Sequence, residues 1–175
     1  MPDRGSNVVT VFGSNDPLAG EGAYELARQV GGELARLGFA VANGGYGGTM
    51  EASACGAKEA GGRTIGVTCR IWSSEPNGFI DDAIVTDDYY QRVRTLVDLG
   101  VGGYVVLPGG TGTLVELAVA WELMCKGQFA DRPLVCVGDF WQPVIDRVSL
   151  QRPAHRRFVA MAQTPRNLAD HFSLS

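Results

Sequence analysis

The sequence predicts a single α/β domain in which helices cover both faces of a parallel sheet. Short apolar runs alternate along the chain with segments whose apolar residues recur at helical spacing. Several of these runs are apolar throughout, which is typical of strands buried between two helical layers. The 175 residues suffice for one domain with its own core, and no linker, repeat or low-complexity tract divides them.

Glycine and polar residues mark where each predicted element begins or ends. Gly38 stops the first predicted helix, and Asp87 or Asp88 caps the third. The predicted strands are 8–12, 39–42, 64–68, 83–86, 104–107, 133–137 and 158–162. The predicted helices are 21–37, 50–60, 89–99, 114–124, 140–148 and 165–172. We therefore expect one domain over residues 1–175, with a core at about 8–148 and a C-terminal strand and helix at about 157–173.

The net charge argues against two classes of partner, nucleic acids and membrane surfaces. The formal net charge is -4 and the pI is about 5.1, whereas nucleic-acid and membrane-surface binding need a basic face. We therefore expect neither partner, although a single nucleotide needs only a local positive site.

No C-x-x-C pair occurs, which favours reduced, buried thiols at Cys55, Cys69, Cys125 and Cys136. Neither a signal peptide nor a run of about 18 apolar residues is found, so we expect a cytoplasmic protein.

A glycine-rich turn follows the apolar run at 104–107 and opens the helix whose apolar residues recur from Leu114. Glycines let the backbone approach a ligand, and the free N–H groups at a helix start favour a phosphate. Glu116 follows about one turn into the helix, an unusual place for a carboxylate if anion binding were the only task. The phosphate-binding residues predicted in this turn are Gly109, Gly110, Thr111, Gly112 and Thr113.

A second glycine-rich loop follows the predicted strand at 39–42. Ligands of parallel sheets bind at the carboxyl ends of the strands, so four segments converge there: Ser14, this loop at 43–51, the 69–79 loop and the 108–116 turn. Two strand-glycine-helix turns in one small sheet favour a phosphate-containing ligand over turns made glycine-rich by packing alone. The nucleotide-binding residues predicted in these segments are Gly13, Ser14, Gly44, Gly45, Gly47, Gly48 and Thr49.

Several side chains at this edge also have a purely structural interpretation. Glu116 could be a capping residue, as a glutamate at the third or fourth helical position often is. Arg92 and Arg94 could serve the site or could be two cations on an exposed helix face. Tyr89 and its neighbour Tyr90 could stack on a base or lie in the core.

Other elements of the sequence narrow the chemistry. Neither glycine loop matches G-x-G-x-x-G or G-K-[ST], which argues against NAD binding and ATP hydrolysis. His155 and His171 have no carboxylate or cysteine at ligand spacing, so no metal is predicted. Glu51 is interpreted as a first-turn carboxylate that complements the helix dipole. Residues 70–82 have no clear period and are predicted as a loop able to move over the site, with Trp72 packed under it.

The run Pro108-Gly109-Gly110-Thr111-Gly112-Thr113-Leu114-Val115-Glu116 resembles the P-G-G-x-G-T-x-x-E motif of the LOG (lonely-guy) family, formerly labelled lysine decarboxylase-like. The segment 44–51, followed by Gly61-Gly62, is similar to the first glycine motif of that family. Glu51 stands at the last glycine of that motif, which resembles a shorter bacterial subgroup. The likeness extends from about Val8 to Val148.

This resemblance implies a Rossmann-like, doubly wound fold, a homodimer or higher homo-oligomer, and a phosphoribohydrolase that cleaves the N-glycosidic bond of a nucleoside 5′-monophosphate. In the family the motif glutamate and an arginine on the preceding helix are the catalytic pair, which implies Glu116 with one arginine. The R-K-x-x-M of the family appears here as Arg92-Val93-Arg94, and we prefer Arg94, with Arg92 as substitute. The helix at 114–124 is apolar on more than one side, which also fits a second subunit.

Two functions remain open from the sequence. The first is a hydrolase that acts on a purine nucleoside 5′-monophosphate, such as AMP or a cytokinin riboside monophosphate, with the phosphate on residues 109–113. The second is a non-catalytic nucleotide sensor or carrier that uses the same pocket. A decarboxylase is disfavoured because neither Lys58 nor Lys126 is placed to hold pyridoxal phosphate, so no cofactor is expected.

Overall fold

The computed structural model describes residues 7–173, and the ends of the predicted domain lie outside this range. Seven strands form one sheet in the order β4-β3-β2-β1-β5-β6-β7, and every neighbouring pair is parallel. All seven predicted strands are confirmed, with ends that differ from the predicted bounds by at most one residue. They are β1 (Val8–Phe12), β2 (Ala40–Asn43), β3 (Thr64–Cys69), β4 (Asp82–Thr86), β5 (Gly103–Val106), β6 (Leu134–Val137) and β7 (Val159–Ala162).

Five α-helices and two 3₁₀ helices connect the strands. The α-helices are α1 (Gly22–Arg36), α2 (Gly48–Glu59), α3 (Tyr89–Leu99), α4 (Thr111–Cys125) and α5 (Gln142–Ser149). The predicted loop before β7 contains a 3₁₀ helix (Pro153–Phe158), and the predicted last α-helix is instead a 3₁₀ helix (Pro165–Asp170). Thr164 and Asn167 form a capping box there, which closes a short, tight turn rather than opening a longer helix.

The sheet separates two apolar cores, which explains why its strands are apolar on both sides. Val9, Val11 and Val105 point to the core under α1, α2 and the last 3₁₀ helix. Phe12 and Tyr104, on alternate positions of the same strands, point to the core under α3, α4 and α5. The predicted Rossmann-like, doubly wound α/β fold is therefore confirmed.

The chain reverses its direction of travel across the sheet between β1 and β5. From β1 it proceeds outward through β2 and β3 to β4, then returns to the other side of β1 with β5. Loops after β1 and β5 therefore part in opposite directions and leave a crevice at the carboxyl ends of the strands. Within residues 7–173, no helix has the length and apolar character needed to cross a membrane.

Candidate functional site

A cavity of about 750 Å³ occupies this crevice. Loops after β1, β2, β3 and β5 contribute to its wall, together with the first turns of α3 and α4, as the sequence predicts for four converging segments. Of the predicted site residues, it is lined by Gly13, Ser14, Gly44, Gly47, Arg92, Gly110, Thr111, Gly112, Thr113 and Glu116. Gly45, Gly48, Thr49 and Gly109 support the wall from behind, and Arg94 lies elsewhere.

The turn after β5 presents unused backbone donors to the cavity. The N–H groups of residues 110–113 make no hydrogen bond to any group within residues 7–173. Gly109 is needed for packing, since a side chain there would strike Thr113. A side chain at Gly110 or Gly112 would meet nothing within 4 Å, so neither protein packing nor backbone conformation requires glycine there. Without a side chain at either position, a ligand can approach the backbone closely, and the four N–H groups at this helix start suit an anion.

The loop after β2 differs, because several of its N–H groups and the Thr49 hydroxyl are bonded to the protein. Gly45 N–H donates to Asn43 Oδ1 at 2.8 Å, and Gly47 N–H donates to Asn15 Oδ1 at 2.9 Å. The Thr49 hydroxyl accepts from Ser14 N–H and donates to Ser14 O. The predicted phosphate contact from Thr49 is therefore wrong: this hydroxyl holds the loop after β1 in place.

The loop after β3 is tied to the loop after β2. Asn77 donates from its side-chain amide to the carbonyls of Gly45 and Tyr46, and its N–H donates to Gly45 O. The Tyr46 hydroxyl donates to Ser73 O at 2.7 Å and accepts from Cys69 N–H. These bonds tie the segment to the loop after β2, and together the two loops form one wall of the cavity.

Glu116 lies deep in the cavity wall, with 6% of its surface exposed. Its side chain rises from the second turn of α4, directly behind the open donors. Burial raises the pKa of this carboxyl to about 7, although the positive charge of Arg92 opposes the shift. Near neutral pH the group can therefore both hold and release a proton, which is the property of a general acid or base.

Arg92 is the cation that faces Glu116. Its Nη1 lies 3.8 Å from Glu116 Oε1, while Nε donates to Val67 O at 2.8 Å and Nη2 to Gly44 O at 3.0 Å. A Cβ at Gly44 would fall on the guanidinium, so glycine is needed for this approach. The backbone contacts fix the guanidinium plane, and the gap to the carboxylate leaves both groups free to engage a ligand.

Arg94 does not reach the site, which corrects the preference for Arg94 over Arg92. Its side chain is 84% exposed on the outer face of α3 and pairs with Asp98 at 3.5 Å. Arg92 and Leu96 are four residues apart and both buried, whereas Arg94 is four residues before exposed Asp98. The helical period thus carried the signal that distinguishes the two arginines.

Several cavity residues were not predicted as site residues. Asn15 and Asp16 follow β1, and the loop after β3 adds Trp72, Glu75 and Asn77. Polar residues directly after a buried strand could have indicated Asn15 and Asp16. Nothing local indicated Asn77, since its role depends on hydrogen bonds to a loop more than 30 residues away. The arrangement as a whole offers anion donors at one end and a buried acid-cation pair beside them.

This chain is similar to a protein family, to a curated protein and to two solved structures. A profile of the SLOG cluster4 family matches residues 6–155. The cytokinin riboside 5′-monophosphate phosphoribohydrolase of Mycobacterium tuberculosis is 35% identical over 140 residues, which cover 78% of this chain and 73% of that protein. The molybdenum cofactor binding protein of Rippkaea orientalis and the Moco carrier protein of Chlamydomonas reinhardtii have TM-scores of 0.76 and 0.74 to this chain. Both are 24% identical over 95% of this chain and 94% of theirs, which indicates a shared fold.

Proposed function

The chain belongs to the LOG-like SLOG cluster4 family, and from that premise we propose that it is a nucleoside 5′-monophosphate phosphoribohydrolase. The substrate is a purine nucleotide such as AMP or a cytokinin riboside monophosphate, and the products are the free base and ribose 5-phosphate. The observation that carries the proposal is the pair of Glu116 and Arg92, buried at 3.8 Å beside four unused backbone donors. The naming of the mycobacterial relative supports the same reaction.

In this mechanism the 5′-phosphate rests on the N–H groups of residues 110–113. These fixed donors stabilise the negative charge of the phosphate without having to reorganise, and the dipole of α4 contributes further stabilisation. The ribose then lies over Glu116, one helical turn further along. Ser14 and Gly47, at the ends of neighbouring loops, close the remaining side of the phosphate end.

Bond cleavage requires a water molecule, a proton acceptor and stabilisation of charge on the sugar. As the bond from C1′ to the base breaks, its electron pair leaves with the base, and positive charge develops on the ribose. The Glu116 carboxylate stabilises that charge and takes a proton from the water that attacks C1′, while solvent supplies a proton to the departing base nitrogen. A pKa of about 7 makes it an effective base at neutral pH. Arg92 orients the carboxylate and donates to the ribose hydroxyls.

Incubation of the purified protein with AMP and with N6-substituted analogues tests the proposal, with free base measured by chromatography. We expect release of base and of equimolar ribose 5-phosphate. Ribose 5-phosphate production by the Glu116→Gln protein should be slower by a factor on the order of a hundred or more. No release of base by the unmodified protein at high enzyme concentration would reject the hydrolase.

The second candidate is a non-catalytic nucleotide sensor or carrier that uses the same cavity. The two similar solved structures are of proteins named as a cofactor binding protein and a carrier protein, which agrees with this candidate. Their 24% identity to this chain shows only that the fold is shared. The same experiment separates the two candidates, because a carrier gains thermal stability from the nucleotide without cleaving it.

We also propose that the protein acts as a homodimer or higher homo-oligomer in the cytoplasm. Apolar residues of α4 remain on the surface, and two grooves flank the helix, lined among others by Leu114, Val115, Ala118, Val119, Leu123 and Val148. Burial of these side chains against a second copy would remove an apolar surface from water. The four cysteines are free, as in proteins of a reducing compartment. Light scattering after size-exclusion chromatography measures the mass, and a monomer would contradict the oligomer.

A further inference from the structure

We propose that Trp72 is the residue that recognises the base, and that it selects bicyclic bases by stacking. This inference rests on the proposed function, since it names the residue that binds the base of the same nucleotide. Trp72 lines the cavity and is 57% exposed, whereas the other two tryptophans, Trp121 and Trp141, are 7% and 3% exposed. An indole that is more than half exposed in a functional cavity offers a planar apolar surface to a base, beside the Arg92 guanidinium that lies over the ring at 5.5 Å from its centre.

The indole is held in place, which stacking requires. Its ring meets Tyr46 edge-on at a centroid distance of 6.3 Å and Tyr89 at 5.7 Å. The Tyr46 hydroxyl is bonded to Cys69 and Ser73 on either side of Trp72. The surface is therefore formed before the ligand arrives, so little ordering entropy opposes stacking.

The position of Trp72 matches the length of a nucleotide. The loop after β3 and the turn after β5 are separated by three strand spacings, about 14 Å at the usual distance between strands. Phosphate at residues 110–113 and base at Trp72 would thus occupy opposite ends of the cavity. The pair of Glu116 and Arg92 lies between them, and the Arg92 guanidinium carbon is 5.5 Å from the centre of the Trp72 ring. The glycosidic bond, which joins sugar to base, then falls beside the catalytic pair.

Binding to the Glu116→Gln protein tests the inference without turnover. Calorimetry measures the Kd of AMP, CMP and ribose 5-phosphate, with and without Trp72→Leu. We expect Trp72→Leu to weaken AMP binding about tenfold, the usual effect of losing one base-aromatic stack. The Kd of ribose 5-phosphate, which has no base, should not change, and the preference for AMP over CMP should shrink. Ile71→Ala, an exposed neighbour outside the cavity wall, is the matched control and should change none of these values.

Intrinsic fluorescence gives a second readout that needs no folding comparison. AMP should quench tryptophan emission, and the quenching should disappear in Trp72→Leu because the remaining indoles are buried. An unchanged Kd of AMP in Trp72→Leu, or an equal loss for ribose 5-phosphate, would overturn the role of Trp72 and leave the hydrolase standing. Failure of the parent protein to bind any of the three ligands would instead contradict both proposals.

Discussion

The two glycine-rich turns of this protein have similar sequences and opposite uses. Both follow a buried strand, open a helix and carry a glutamate in its first two turns, Glu51 in α2 and Glu116 in α4. In the loop before α2, three alternate N–H groups, those of Gly45, Gly47 and Thr49, donate to the protein, and Glu51 accepts from the Tyr24 hydroxyl at 2.8 Å. The turn before α4 gives its N–H groups to nothing within residues 7–173.

This difference teaches that a glycine turn reveals its function by the donors it leaves unused. Every helix start leaves N–H groups without an intrahelical partner, and here Gly110, Thr111 and Gly112 are exposed at a cavity, where such donors suit an anion. The loop before α2 is scaffolding for its neighbours. The turn before α4 is the phosphate-binding surface that we propose, and variants of the two turns should therefore behave differently.

The largest effect is expected from the two glutamates. Glu116→Gln should lower kcat for AMP by a factor on the order of a hundred or more, because it removes charge that acts in the transition state. Glu51→Gln should leave kcat unchanged and cost about 1 kcal/mol of stability through its bond to Tyr24. Steady-state kinetics of both variants, with thermal melts, check the contrast. Equal losses of kcat would show that the two turns are not functionally distinct.

The pH dependence of stability should report the burial of Glu116. The pKa of this carboxyl is about 7 in the folded protein and near 4.5 in the unfolded chain. The unfolded state therefore ionises first, and the free energy of unfolding falls as pH rises from about 4.5 to about 7. Glu116→Gln should abolish this loss and be more stable than the parent at pH 8, by on the order of 3 kcal/mol.

Urea denaturation at pH 4.5 and pH 8 measures the effect as a difference between parent and variant. Subtracting the free energy of unfolding of the variant from that of the parent cancels the contribution of all other titrating groups. A difference that does not grow with pH would mean that Glu116 is solvated rather than buried.

The two arginines of α3 should differ in the same way. Arg92→Lys loses the planar donors to Val67 O and Gly44 O and should cost about 1.5–3 kcal/mol of stability, with a lower kcat. Arg94→Lys changes an exposed pair, which is worth about 0–1 kcal/mol, and should leave kcat unchanged. Thermal melts and AMP kinetics measure both. A loss of activity in Arg94→Lys alone would restore the original preference for Arg94.

The glycines should change stability by small amounts, and the sign of each change is informative. Gly112→Ala places a methyl group in open space within the first turn of α4 and should stabilise the protein by about 0.5–1 kcal/mol. It should also weaken nucleotide binding, since the methyl group occupies ligand space. Gly45→Ala, at φ 78°, should cost about 1–2 kcal/mol through backbone strain. Melts and calorimetry compare them, and unchanged affinity in Gly112→Ala would contradict the phosphate position.

Much of the fold could be predicted from the sequence, because burial on both faces leaves uninterrupted apolar runs. Strand β6, with the residues Leu134–Val137, is an example in which every residue is buried. The parallel arrangement of the strands was enough to predict that the candidate site lies at their carboxyl ends. The last 3₁₀ helix was mistaken for an α-helix because both begin with the same capping residues and proline.

The site was less predictable, because its function depends on which groups lack a protein partner. Thr49 and Thr113 occupy similar places in similar motifs, yet the Thr49 hydroxyl is bonded to Ser14, 35 residues away. Such a contact depends on the tertiary fold and has no local pattern. The choice between Arg92 and Arg94, in contrast, was available from the helical period of α3.

A crystal structure of the Glu116→Gln protein with AMP tests the central claim most directly. We predict that the phosphate contacts the N–H groups of residues 110–113, that C1′ faces residue 116, and that the adenine lies on Trp72. A phosphate bound instead on the loop before α2, or a ribose turned away from residue 116, would contradict the assignment of these two turns.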